Sequence, residues 1–259
     1  MTKHKNMLTE NQKERYLRNT LLPEIGEKGQ EKLLAAKVLV VGCGGLGSPV
    51  IYYLAAAGVG NLGLIDDDKV ELSNLQRQIL HNNNDLDVKK VNSAQDKISA
   101  LNKDVKIEVF DKRATLESLF EIGQNYDYVI DATDNFPTRF VINEYCHKAQ
   151  KTLIFGAVKG FLGQASIFKS WENKNPCYAC FNPNIVGDGF SLPLSEKGIL
   201  GAVAGSIGAV QAVNTVKEIL GIGESLVGKI LITEFLENKF RVVDLKKRGG
   251  CGVCNPLSS

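Results

Sequence analysis

The chain has 259 residues, 44% of them hydrophobic and 23% charged, an ordinary balance for a globular protein. Lys and Arg number 31 against 29 Asp and Glu, and this net +2 gives no broad cationic field for nucleic acid or an anionic membrane. No apolar run approaches the ~18 residues of a membrane span, and residues 1–7 lead into a polar helix rather than an apolar signal segment, so a cytoplasmic location is expected.

Thr9 with Gln12 three residues on reads as a capping box opening a helix through about residue 19. A second helix, over 27–36, runs into Val38-Leu39-Val40-Val41, a run whose shortness and β-branching indicate a buried strand. Helix and strand then alternate: helix 46–57, strand 62–65, helix 88–101, strand 105–110, helix 116–122, strand 126–130 closing on Asp131, helix 136–149 and strand 153–155. This predicts a Rossmann-like α/β fold, a mainly parallel sheet with helices on both faces. The last third differs. A strand at 164–168 has no crossover helix, 173–198 has loop composition, and a helix over 199–220 offers Ala204, Gly205, Gly208, Ala209 and Ala212 for close packing. Strands at 229–233 and 239–243 read as a hairpin that extends the sheet with antiparallel strands. Residues 1–259 thus read as one domain: N-terminal helices to 36, a nucleotide-binding core over 37–170, and a loop, long helix, hairpin and tail over 171–259.

Gly42-Cys43-Gly44-Gly45-Leu46-Gly47 fits G-x-G-x-x-G directly after a strand and before a helix, and Asp66 closes the next strand. Glycines let the backbone approach a phosphate, the helix N-terminus offers free N–H groups, and a carboxylate there accepts from ribose hydroxyls. A dehydrogenase would share this loop. It would also want a hydride-transfer acid, yet no tyrosine has Lys four residues on; His4 is terminal, and the surroundings of His81 and His147 suggest surface roles. Gly223 to Lys229 satisfies G-x-x-x-x-G-K, but Ile230 stands where a P-loop needs Ser or Thr, so a helix-to-strand turn is expected.

Cys177-x-x-Cys180 and Cys251-x-x-Cys254 form two knuckles with residues 181–250 between them. Two such pairs suit a closed tetrahedral Zn²⁺ site that clips the tail to the preceding loop; a redox dithiol would leave one pair unexplained. Cys43 and Cys146 read as buried packing residues.

After Asp66 come Asp67-Asp68, then Ser73-Asn74-Leu75-Gln76-Arg77-Gln78, Lys90 and Thr133-Asp134-Asn135. Together with Arg15-Tyr16-Leu17-Arg18, the glycine loop, Ala57-Gly58-Val59-Gly60-Asn61 and the two cysteine pairs, in this order, the chain resembles the MoeB/ThiF/HesA family, bacterial relatives of ubiquitin-activating enzymes. The resemblance covers about residues 8–255. It implies an adenylyltransferase that uses ATP to activate the C-terminal carboxylate of a ubiquitin-like sulfur-carrier protein, for molybdopterin or thiazole synthesis. It also implies an ATP site at Gly42, Gly44, Gly45, Gly47, Asp66, Asp68, Ser73, Asn74, Leu75, Gln76, Arg77, Lys90, Asp134 and Asn135. Within it Asp66 would hold the ribose, Asn74, Arg77 and Lys90 the triphosphate, and Asp134 a Mg²⁺. Arg18 matches an arginine that enters the partner subunit's site, which implies a homodimer.

The chemistry suits these residue types. A carboxylate attacking the α-phosphorus brings two anions together, so cations and a metal must stabilise the charge that develops. The attacking carboxylate is already ionised, so no general base is needed. Joint retention of Arg18, Arg77, Lys90 and Asp134 argues against a catalytically silent carrier-binding subunit. One departure matters: relatives often carry a cysteine four residues before a glycine, whereas here Leu194 precedes Gly198 and Ser195 follows, with no cysteine between Cys180 and Cys251. The enzyme is therefore expected to stop at the acyl-adenylate. The chain ends at Ser259 with no rhodanese-like extension, so a separate persulfide donor is expected.

Overall fold

The computed structural model describes residues 8–172, 174–183 and 198–255. It opens with α1 (Glu10–Arg15), α2 (Leu17–Thr20) and α3 (Gly26–Ala35). Thr9 caps α1, its hydroxyl oxygen accepting from the Gln12 amide while Gln12 Oε1 accepts from the Thr9 amide. The helix expected to reach residue 19 without a break turns at Tyr16 instead. That ring is only 1% exposed, and its hydroxyl donates to Asp104 and accepts from Asn102. Anchoring there outweighs helix continuity.

The strands are β1 (Lys37–Val41), β2 (Asn61–Ile65), β3 (Lys106–Phe110), β4 (Tyr128–Asp131), β5 (Thr152–Lys159), β6 (Leu162–Phe168), β7 (Lys229–Glu234) and β8 (Lys239–Asp244). They form one sheet in the order β3-β2-β1-β4-β5-β6-β7-β8. The first five are parallel and the last three add antiparallel pairs. Crossovers run through α4 (Gly47–Ala56), α5 (Lys90–Leu101), α6 (Leu116–Ile122) and α7 (Phe136–Lys148); α8 (Tyr178–Phe181) and α9 (Gly201–Leu220) follow. Alternate residues of β1 face opposite ways, as a strand's pleat dictates. Val38 and Val40 join Leu62 and Leu64 beneath α4, α5 and α9, while Leu39 and Val41 join Ile65, Val129 and Phe155 beneath α6 and α7. Each fully buried aliphatic side chain contributes about 1.5–3 kcal/mol, which is why these strands read as continuous apolar runs.

Several differences from the sequence expectation have local causes. Helix α5 starts at Lys90 rather than 88, because Val88 accepts from the Val70 amide and Lys89 bridges to Lys69. Strand β5 extends to Lys159 because a two-residue turn at Gly160 (φ +59°) and Phe161 folds β6 back on it. The expected loop after 173 contains α8, a single turn. Gly208 does sit at a close approach: a Cβ there would lie 2.4 Å from Pro49 Cγ on α4. Gly205 has only open space within 4 Å among the described residues.

Candidate nucleotide site and cysteine cluster

The strand order reverses between β1 and β4, the place where open α/β sheets take ligands. A cleft of about 810 Å³ lies there, against the carboxyl ends of the parallel strands. The glycine loop forms its floor. Gly42 has φ +99° and a Cβ on it would lie 2.8 Å from the Ala132 carbonyl oxygen; one on Gly47 would lie 2.0 Å from that of Gly42. Side chains at these two positions would prevent the turn from β1 into α4.

Asp66 ties the loop to β2, accepting from the Cys43 amide at 2.7 Å and from the Asp68 amide at 2.9 Å. Burial raises its pKa, and Lys90 and the two amides pull the other way. Lys90, at the first position of α5, donates to Asp68 at 2.7 Å with its side chain 7% exposed. Past β2, a short 3₁₀ turn (Leu72–Asn74) presents Ser73 and Asn74, and Arg77 Nη1 donates back to the Ser73 carbonyl at 3.1 Å. Across the switch point, Asp131 ends β4 buried, its carboxylate accepting from the Thr133 amide and hydroxyl. Asp134 stands exposed on the cleft wall, and Asn135 caps α7 by accepting from the Thr138 amide.

Gly42, Gly44, Gly45, Asp66, Asp68, Ser73, Asn74, Gln76, Arg77, Lys90, Asp134 and Asn135 all line this cleft. Gly47 lies behind it, Leu75 is half-buried off it, and Arg18 is exposed on α2, outside this chain's cleft. Leu194 and Ser195 lie outside the described residues. The sequence reading missed several groups on the wall. Arg139 is 4% exposed, donates to the Thr133 carbonyl at 2.8 Å, and lies over the rings of Phe136 and Phe155. Its position four residues after Asn135, one helical turn along α7, was the available signal. Lys112, Arg113 and Lys159 also line the cleft, at the ends of β3 and β5. The surface role expected for His81 is wrong: the ring is 5% exposed, under the glycine loop. Its ring partners, Ser93 and the Cys43 carbonyl, lie 12 and 38 residues away, so the polar neighbours in sequence were no sign of solvent. His147 is half-buried and bonded to Ser170.

The four cysteines converge, their sulfurs all within 4.8 Å of one another. Separations of 3.6 Å for Cys177–Cys251, 3.4 Å for Cys180–Cys254 and 3.9 Å for Cys177–Cys180 are far too long for disulfides. They bracket the ~3.8 Å edge of a tetrahedron with metal–sulfur bonds of about 2.3 Å. As bare thiols, burial and then neighbouring sulfurs push Cys177 up to about 12. Cys251 goes the other way, to about 6, where amides of Cys254 and Val253 outweigh burial. Four thiolates this close would need a cation between them, and the cluster is compatible with a structural zinc. Cys43 and Cys146 are buried, as expected of packing residues. Among the described residues no helix is long and apolar enough to cross a membrane.

A sequence model of the ThiF family matches residues 16–253. The chain is similar to the sulfur carrier protein adenylyltransferase of Thermus thermophilus, with 40% identity over 95% of this chain and 92% of that one. It is 39% identical to the SAMP-activating enzyme E1 of Haloferax volcanii, over 94% of this chain and 89% of that one. Among solved structures, E. coli MccB with AMPCPP and MccA superposes with a TM-score of 0.80 at 25% identity, covering 93% of this chain and 74% of that one.

Proposed function

We propose that this chain, which belongs to the ThiF family, uses ATP to adenylate the C-terminal carboxylate of a ubiquitin-like sulfur-carrier protein, releasing pyrophosphate. The observation that carries the reading is one cleft, at the sheet's switch point, combining the glycine loop, Asp66, Arg77, Lys90 and Asp134. The names of the Thermus and Haloferax relatives, and the ATP analogue beside MccA in the MccB structure, support it.

Each residue's task follows from its place. Asp66, held by two amides, retains lone pairs for the ribose hydroxyls. Backbone amides of Gly44 and Gly45 and the cations of Arg77 and Lys90 face the phosphates and stabilise the charge that grows as the carrier carboxylate attacks the α-phosphorus. The carboxylates of Asp68 and Asp134 suit an oxygen-seeking Mg²⁺, which would supply neutralisation of the departing pyrophosphate. Arg18 lies outside its own chain's cleft, and we assign it to a partner's site in a homodimer. The four cysteines would hold a Zn²⁺ with no open position, a structural clip that joins the tail to α8. With the zinc sulfurs committed and no cysteine between Cys180 and Cys251, the reaction ends at the acyl-adenylate, and sulfur comes from a separate persulfide donor.

Carrier-dependent exchange of labelled pyrophosphate into ATP tests the reading. Arg77→Ala and Asp134→Ala should each lower it about 10²-fold or more while the fold is retained, the usual cost of losing one preorganised transition-state contact. Full exchange in either folded variant would remove that residue from the site.

A further inference from the structure

Among the described residues His81 is the one histidine that touches the glycine loop, and the mechanism above gives it no task. Its Nε2 lies 3.0 Å from the carbonyl oxygen of Cys43, and its Nδ1 lies 2.8 Å from the Ser93 hydroxyl. A carbonyl only accepts, so Nε2 carries the proton and Nδ1 accepts from Ser93. With both nitrogens engaged and the ring 5% exposed, the imidazole touches no substrate. What it does touch belongs to three segments of the site. Cys43 is the second residue of the glycine loop. Ser93 lies one residue short of a full turn along α5 from Lys90. The His81 amide itself donates to the carbonyl of Gln78, at the end of the segment that carries Asn74 and Arg77.

The backbone of Cys43 is therefore held in two successive peptide groups, its N–H by Asp66 at 2.7 Å and its C=O, which belongs to the peptide shared with Gly44, by His81. A trans peptide is planar, so fixing the direction of the Cys43 carbonyl fixes the Gly44 N–H in the opposite direction, away from the buried ring. Gly44 lines the cleft. We propose that His81 is a positioning residue that, through the Cys43 carbonyl, sets the Gly44 N–H as a phosphate-binding donor. The proposal rests on the nucleotide reading given above and adds a residue to it.

The prediction is selective for phosphate. By titration calorimetry without carrier, His81→Ala should weaken ATP binding about tenfold, the scale of one lost orienting hydrogen bond. Binding of adenosine, which has no phosphate, should be unchanged. His81→Gln, which keeps a terminal N–H for the Cys43 carbonyl, should recover most of the loss. Ser93→Ala removes the ring's other partner, together with a hydrogen bond to Asp85; it should weaken ATP by a smaller factor with the same selectivity, and it decides the matter if His81→Ala does not fold. In pyrophosphate exchange the loss should appear in the KM for ATP rather than in the KM for carrier. Unchanged ATP affinity in His81→Ala, or equal weakening of ATP and adenosine, would overturn the proposal. A wild-type chain that bound no ATP would overturn the nucleotide reading itself, and this assignment with it.

Discussion

Burial shifts acids and bases at this site in opposite directions. Asp66 and Asp131 are raised by burial, offset in part by Lys90 and amides for the first and by Arg139 and Thr133 for the second. His81 and His147 are lowered below the 6.5 of a free imidazole, also chiefly by burial. The unfolded chain takes up these imidazole protons near pH 6.5 while the folded chain does not, so the histidines' contribution is full above that pH and is lost as pH falls through their lower folded values. The raised carboxylates act oppositely: their contribution is present below the ordinary carboxylate value of 3.8 and is lost as pH rises through the folded value. Stability to urea should therefore fall between about pH 7.5 and about pH 6, and less steeply in His81→Gln. Equal slopes in the two proteins would show that His81 is not among the groups responsible.

Helix α9 shows how one element can be constrained on one side only. A Cβ at Gly208 would meet Pro49 Cγ at 2.4 Å and the Leu46 carbonyl oxygen at 2.5 Å, both at the start of α4 directly after the glycine loop. A backbone oxygen cannot rotate away, so Gly208→Ala should cost about 1–3 kcal/mol through forced displacement. At Gly205, with open space among the described residues, the same change should gain about 0.8 kcal/mol from helix propensity. Urea midpoints for the two variants should move in opposite directions; a matching shift would mean that α9 and α4 do not pack as described. Because Ala204 of α9 lines the cleft, Gly208→Ala should also raise the KM for ATP.

Across the whole molecule, two predictions concern how distant parts are joined. The cysteine pairs bring α8 and the tail together, and metal binding of this kind contributes folding free energy directly. Elemental analysis should find one zinc per chain, and a strong chelator should lower the melting temperature of the wild type but not of Cys177→Ala. Metal-free protein with unchanged stability would rule out the structural clip. The second prediction concerns the proposed homodimer. An inactive Arg18→Ala chain mixed with an inactive Asp134→Ala chain should regain part of the exchange activity, since one of the two sites in the mixed dimer is then intact. No recovery despite demonstrated subunit exchange would place Arg18 in its own chain's site or in none.

The sequence by itself determined whatever is local or periodic. The apolar run of β1, the glycines after it and the acid ending β2 specified strand, turn and carboxylate, because a buried parallel strand must be apolar throughout and a tight turn excludes Cβ atoms. The alternation of elements gave the parallel sheet, and the two Cys-x-x-Cys knuckles gave the cluster. Tertiary structure alone decided the rest. Tyr16 ended α1 because a buried hydroxyl found Asp104 and Asn102, 88 and 86 residues away. Val88 left the helix because Val70 paired with it. His81 sits against the site although its sequence neighbours gave no sign of it, for its ring is held by the backbone carbonyl of Cys43, 38 residues away. Such partners depend on where the chain returns in space, and no local pattern of residue types encodes that.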